Sequence, residues 1–238
     1  MELIDFVIIG PSRSGSSLLC SMLDLHPNIH CQLEHFYRPK YEEYVQTYKT
    51  EDSVKIYNQI AKEWNKTKEL PSNPLTGFKF IFSNHRPETE RLYRKLLRNN
   101  EIKKILITRN PLERYISNKI GAIATVESKN WLGTKLHGTK MRFDQKGFLN
   151  FLKKDNSAYD YVLRTIQGPL LTIDYTDTTN TTAFKDIYNF LNVPDSPTTL
   201  LDWGGSTKQN YTQMSYKVEN FTEMVEYLRT TPYKKWLV

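Results

Sequence analysis

Phe6-Val-Ile-Ile-Gly10-Pro-Ser-Arg-Ser-Gly15-Ser-Ser-Leu-Leu-Cys20-Ser-Met-Leu23 is the stretch from which the rest of the chain is read. Phe6–Ile9 is an apolar, β-branched run that predicts a buried strand. Gly10 to Ser17 has the spacing of a phosphate-binding loop, and Leu18 onward resumes at helical spacing. Strand, glycine loop and helix are what an anion cradle needs, because successive backbone N–H groups and the positive helix end converge on one group. A Walker A loop reads G-x-x-x-x-G-K-[ST], with the lysine reaching the β- and γ-phosphates. Here Ser16 takes the lysine position, and Arg13 is the one cation in the loop. The pattern therefore predicts a phosphate-like ligand, but not the triphosphate of an ordinary NTPase. The competing reading of Ser14, Ser16 and Ser17 is helix capping, which uses the same N–H groups.

A second block repeats the arrangement. Ile105-Leu-Ile-Thr108 predicts another buried strand, followed by Arg109-Asn-Pro-Leu-Glu-Arg-Tyr-Ile-Ser117. An arginine at a strand end can present a bidentate fork to a terminal phosphate; an ion pair with Glu113 is its ordinary alternative. Together, Ser12-Arg-Ser-Gly-Ser-Ser17 and the Arg109/Ser117 pair, about 95 residues apart, resemble the two halves of the donor signature of sulfotransferases that use 3'-phosphoadenylyl sulfate (PAPS). The resemblance implies that Arg13, Ser14, Gly15, Ser16 and Ser17 bind the 5'-phosphosulfate, and that Arg109 and Ser117 bind the 3'-phosphate. It is specific in residues 6–36 and 102–120 and holds in outline elsewhere. One departure is Ser12, inserted between Pro11 and Arg13 where the family reads Pro-Arg-Ser-Gly.

The same resemblance offers two general bases. Leu25-His-Pro-Asn-Ile-His-Cys-Gln-Leu-Glu34 is similar to carbohydrate and tyrosyl-protein sulfotransferases, in which a glutamate shortly after an LxxHP turn is the base; Glu34 has that position. His85, in Ser83-Asn-His-Arg-Pro87, resembles the histidine of cytosolic sulfotransferases, although Ser83 stands where their lysine precedes it by two residues. Lys79 matches a lysine of the glutamate branch, which weights the choice toward Glu34. Lys208 is carried over as a donor-closing lysine from a basic loop that relatives have near that point. His26 and His30 are expected to be structural, Asp24 a surface residue, and Arg114 and Lys119 solvated.

Composition bounds the rest. The 238 residues fit one α/β domain with a sizeable core, spanning 1–238. Strands at Phe6–Ile9, Gly77–Phe82, Ile105–Thr108 and Leu170–Ile173 alternate with helical patterns at Ser17–Leu25, Tyr41–Lys66, Glu88–Asn99, Leu112–Ala124, Phe148–Gln167 and Thr182–Leu191. That alternation predicts a P-loop-like three-layer α/β fold, a central parallel sheet flanked by helices, with ligands at the carboxyl ends of the strands. Residues 40–70, rich in tyrosine, read as a helical insert or an amphipathic surface pair of helices. Residues 129–146 lack periodicity and read as a mobile loop, a candidate acceptor clamp. Tyr175 and Phe190 read as core packing.

A net charge of +7 and a pI of about 9.2 suit an anionic donor, and no Lys/Arg stripe with a reading helix points to nucleic acid. Cys20 and Cys31, the only cysteines, form no disulfide framework or CxxC metal pattern and read as buried thiols in a reducing compartment. No run has the length of a membrane span, and the first strand begins close to Met1. The expectation is a cytoplasmic enzyme of bacterial or viral type, without metal, acting on a small-molecule or glycan acceptor with neither nucleic acid nor membrane as partner. Its product would be adenosine 3',5'-bisphosphate (PAP). Two other readings compete: a P-loop-type nucleotide phosphotransferase, which predicts a lysine at Ser16 and an acidic strand end, and a non-catalytic nucleotide-binding module, favoured only by charge.

Overall fold

The computed structural model describes residues 4–34, 38–67, 74–82, 87–128, 138–179, 181–196 and 213–237. Its chain divides into two compact units, residues 1–108 with 158–203 and residues 109–157 with 204–238. The first holds the sheet. Its strands are β1 (Phe6–Gly10), β2 (Ile29–Gln32), β3 (Leu75–Ile81), β4 (Lys103–Thr108) and β5 (Leu170–Asp174). All pairs are parallel, in the order β2-β3-β1-β4-β5.

Alternation along the strands sorts side chains onto two buried faces. Val7, Ile9, Phe78, Phe80 and Leu106 meet α2 (Arg38–Tyr48), α3 (Ser53–Thr67), α4 (Pro87–Arg98) and the end of α6 (Gln145–Thr165). Phe6, Ile8, Ile105, Ile107 and Ile173 face α1 (Ser16–Leu23) and α7 (Thr181–Leu191). Helix, sheet and helix thus form the three expected layers. The tyrosine-rich segment does not simply lie on the surface: Tyr41, Tyr44 and Tyr57 are buried in the first of these faces, with Phe80 stacked on Tyr93 beside them.

Strand β2 is the element that sequence patterning missed. Ile29-His-Cys-Gln32 is four residues long and half polar, too short for a period to register. It becomes a strand because β3 offers a free edge, with Ile29 opposite Leu75 and Gln32 opposite Phe78. The long pattern at 41–66 is two helices, broken around Lys49, whose φ is 51°.

In the second unit, α5 (Pro111–Ser128), the first part of α6 and α8 (Phe221–Arg229) bury Leu112, Tyr115, Ile116, Phe148, Leu152, Met224 and Leu228. A parallel bridge, Met141 with Val218, joins residues just before α6 to those before α8. Of the segment read as a mobile loop, 129–137 lies outside the described residues. Among the described residues no helix is long and apolar enough to cross a membrane.

Candidate active site

The loop after β1 takes its shape from two left-handed residues, Arg13 (φ 65°) and Gly15 (φ 93°), with a turn closed by Ser14 N donating to Pro11 O at 3.3 Å. A non-glycine residue in this region costs about 1–2 kcal/mol, so the strain at Arg13 sits in the loop expected to hold an anion. Gly15 has to be glycine for a second reason: a Cβ there would stand 2.4 Å from Cδ2 of Tyr175, whose half-buried ring covers it. Gly15 is also the N-cap of α1 and gives it no side-chain cap. Ser14 is fully buried and its hydroxyl has no hydrogen-bond partner.

The lysine that the loop lacks arrives from another strand. Lys79 of β3, 6% exposed, donates from Nζ to Ser17 Oγ at 2.7 Å. Burial pulls Lys79 below the usual lysine range, Glu34 and the thiols of Cys20 and Cys31 oppose that shift, and Arg13 adds to it. Arg13 and Glu34 thus both bear on the charge of Lys79, the residue bonded to Ser17. Glu34 follows β2 by two residues, and its Oε1 is fully buried. β2, invisible as a pattern, is thus the element that sets the residues leading to Glu34 beside β3, the strand of Lys79.

The two cysteines are buried thiols, as expected, with Cys31 Sγ donating to Cys20 Sγ at 3.2 Å and Cys20 Sγ to Gln32 O at 2.9 Å. Burial first, and then the neighbouring Cys20, push the Cys31 thiol well up. Asp24 is not merely a surface residue: its Oδ1 accepts from Cys31 N at 2.9 Å and pairs with His30 Nδ1 at 2.9 Å. His30 in turn meets Gln32 Nε2 at 2.7 Å. His26 bonds Pro194 O at 3.0 Å and accepts from Asn28 N at 3.0 Å, so both histidines are structural.

In the second unit, Arg109 and Ser117 lie eight residues apart, Arg109 just before α5 and Ser117 within it, 8% exposed. The alternative ion pair exists: Arg109 Nε donates to Glu113 Oε2 at 3.0 Å. Asn110 caps the helix by accepting from Leu112 N at 3.0 Å, and its Nδ2 donates to Trp236 O at 2.9 Å. Arg114 corrects the sequence reading. It is 2% exposed rather than solvated, paired bidentately with Asp155 on α6, with Nη1 to Oδ2 at 2.7 Å, and its guanidinium lies 5.4 Å from the Phe151 ring. Position along a helix gave no sign of this, because the partner is 41 residues away. Lys119 is exposed, with Nζ 5.6 Å from the Tyr115 ring. His85 and Lys208 lie outside the described residues. Among the described residues no three His, Cys, Asp or Glu side chains group as a metal site would require.

A model described as "Sulfotransferase family" matches residues 5–197. The chain belongs to that family. It is an enzyme of the PAPS-dependent sulfotransferase class, as the two signature blocks led us to expect. No curated protein sequence matches this sulfotransferase. Among solved structures, the sulfotransferase of Alicyclobacillus acidocaldarius is 13% identical, with 98% of this chain and 94% of that one covered at a TM-score of 0.52, which supports the shared fold. The sulfotransferase domain from the curacin biosynthetic pathway is 16% identical, covering 93% of this chain and 86% of its own at 0.49. Retinol dehydratase, solved with androsterone and the inactive cofactor PAP, is 13% identical, covering 98% and 77% at 0.47.

Proposed function

We propose that residues 1–238 work as one sulfotransferase domain that moves the sulfuryl group of PAPS to a hydroxyl of a carbohydrate-type acceptor, with Glu34 as general base. The observation that carries this reading is the buried Lys79 bonded to Ser17 Oγ at 2.7 Å, with Arg13 and Glu34 both bearing on its charge. The residues there fit the donor: a strained loop without a side-chain cap, a buried Ser14 hydroxyl in need of a partner, and two cations.

In this reading the backbone N–H groups of Ser14 to Ser17, with Arg13, hold the 5'-phosphosulfate, while Arg109 and Ser117 hold the 3'-phosphate. The acceptor oxygen attacks sulfur as the bond from sulfur to the 5'-phosphate oxygen breaks, in line, and Glu34 takes the acceptor's proton. Negative charge grows on the leaving phosphate, where Arg13 and the buried Lys79 can balance it. Lys79 thereby does from β3 what a Walker lysine does from within its loop. A carbohydrate acceptor is favoured because the Leu25–Glu34 context is closest to that branch.

Calorimetric titration with PAP, with ATP–magnesium and 5'-AMP as controls, tests the donor. Preference for ATP–magnesium would return the chain to the phosphotransferase reading. For the base, Glu34→Gln should keep PAP affinity within about twofold yet lower turnover of PAPS with a glycan acceptor panel by about 100-fold or more. Unchanged turnover would remove Glu34 from the mechanism and leave His85 to be tested in the same way.

A further inference from the structure

We infer that Glu113 is a positioning residue for the donor's 3'-phosphate: through Arg109 Nε it sets the plane of the guanidinium that meets the phosphate. The inference rests on the proposed 3'-phosphate role of Arg109 and adds a residue to it.

Arginine is useful to phosphate only if its planar fork is held in one orientation, since five donors on a long, rotamer-rich chain otherwise sample many. Around Arg109 the restraints are layered. The backbone is fixed first: Asn110 accepts from Leu112 N with its side chain and from Arg114 N with its carbonyl, and its amide donates to Trp236 O. The helix that follows is held by the buried pair of Arg114 and Asp155. The side chain is restrained in turn by the 3.0 Å bond from Nε to Glu113 Oε2. Glu113 lies in the first turn of α5, where the helix dipole favours a carboxylate. Arg109, at 14% side-chain exposure, is more enclosed than Glu113, at 32%. The enclosed partner is the one whose orientation is being set.

The chemistry of the contact decides between positioning and competition. Glu113 engages Nε, whereas a bidentate fork to phosphate can use the terminal nitrogens. A carboxylate on the Nε edge orients that fork without occupying the same nitrogens, so it supports the phosphate instead of displacing it.

The test separates the 3'-phosphate from the rest of the ligand. Dissociation constants for PAP and for 5'-AMP, which lacks the 3'-phosphate, are measured by calorimetry on the wild-type protein, Glu113→Ala and Glu113→Gln. Glu113→Ala should weaken PAP by about 10- to 100-fold, the scale of a charge-assisted hydrogen bond, and change 5'-AMP by less than about twofold. Glu113→Gln keeps an oxygen acceptor on Nε and should restore PAP to within about threefold of wild type. Retained 5'-AMP binding shows that each variant is folded. If Glu113→Ala keeps the wild-type ratio of PAP to 5'-AMP affinity, or raises it, the positioning role is overturned while the 3'-phosphate reading stands. If the wild-type protein itself binds PAP and 5'-AMP equally, the 3'-phosphate reading falls and this inference falls with it.

Discussion

Replacing Lys79 by methionine should make the protein slower and no less stable, a pair of effects that a structural lysine would not produce. Lys79 is buried on β3, makes one hydrogen bond to Ser17 Oγ, and has its pKa drawn below the usual lysine range mainly by burial. A lowered folded-state pKa means that the unfolded chain binds the extra proton more tightly, so at neutral pH the charged lysine opposes folding. Methionine has a similar length and removes that cost. Against this stands the lost bond to Ser17, worth about 1 kcal/mol, a shift of about 2–4 °C in melting temperature for a chain of this size. The two terms oppose each other, and the melting temperature should stay level or rise by a few degrees. Catalysis should move the other way. A preorganised cation facing charge that develops in the transition state contributes about 3–4 kcal/mol, or 100- to 1,000-fold in rate.

The assay needs no knowledge of the acceptor: release of PAP from PAPS by slow transfer to water is followed at pH 7.5, beside thermal unfolding of the same samples. A K79M protein that melts more than about 4 °C lower and releases PAP at the wild-type rate would refute the argument, because Lys79 would then be a structural residue.

Two further outcomes follow from the geometry. Gly15→Ala combines a left-handed backbone with a Cβ 2.4 Å from the Tyr175 ring, so PAP affinity should fall more than about tenfold and stability by about 1–2 kcal/mol or more; wild-type affinity by calorimetry would show that the loop does not need its shape. Lys104, fully buried on β4 and donating from Nζ to Asn99 O and to Gln167 O at 2.6 Å, is drawn down by burial to about 8. Its folded pKa lies below its unfolded one, so its contribution to stability should grow as pH rises from about 8 to about 10.4, and denaturant titrations should show that growth in wild type but not in Lys104→Met.

What the sequence determined by itself is what depends on local order. Phe6–Ser17 announces strand and loop because β-branched residues, glycine spacing and a following helix are contiguous, and Arg109–Ser117 announces its helix for the same reason. The parallel three-layer sheet follows from alternating elements, as does the placement of the first loop at a strand's carboxyl end. What only the tertiary structure decided are contacts between residues far apart in the chain. Lys79 reads as one polar residue in an apolar strand until parallel pairing with β1, which sets it opposite Ile8, and packing of α1 against the sheet bring it to Ser17, 62 residues away. β2 has no period of its own and exists because β3 presents an unpaired edge; without it Glu34 has no address. Arg114 looks solvated on its helix and is buried because Asp155 neutralises it across to α6. A chain carries its backbone preferences in every short window, but the charge that meets a loop is settled by which strand pairs beside it.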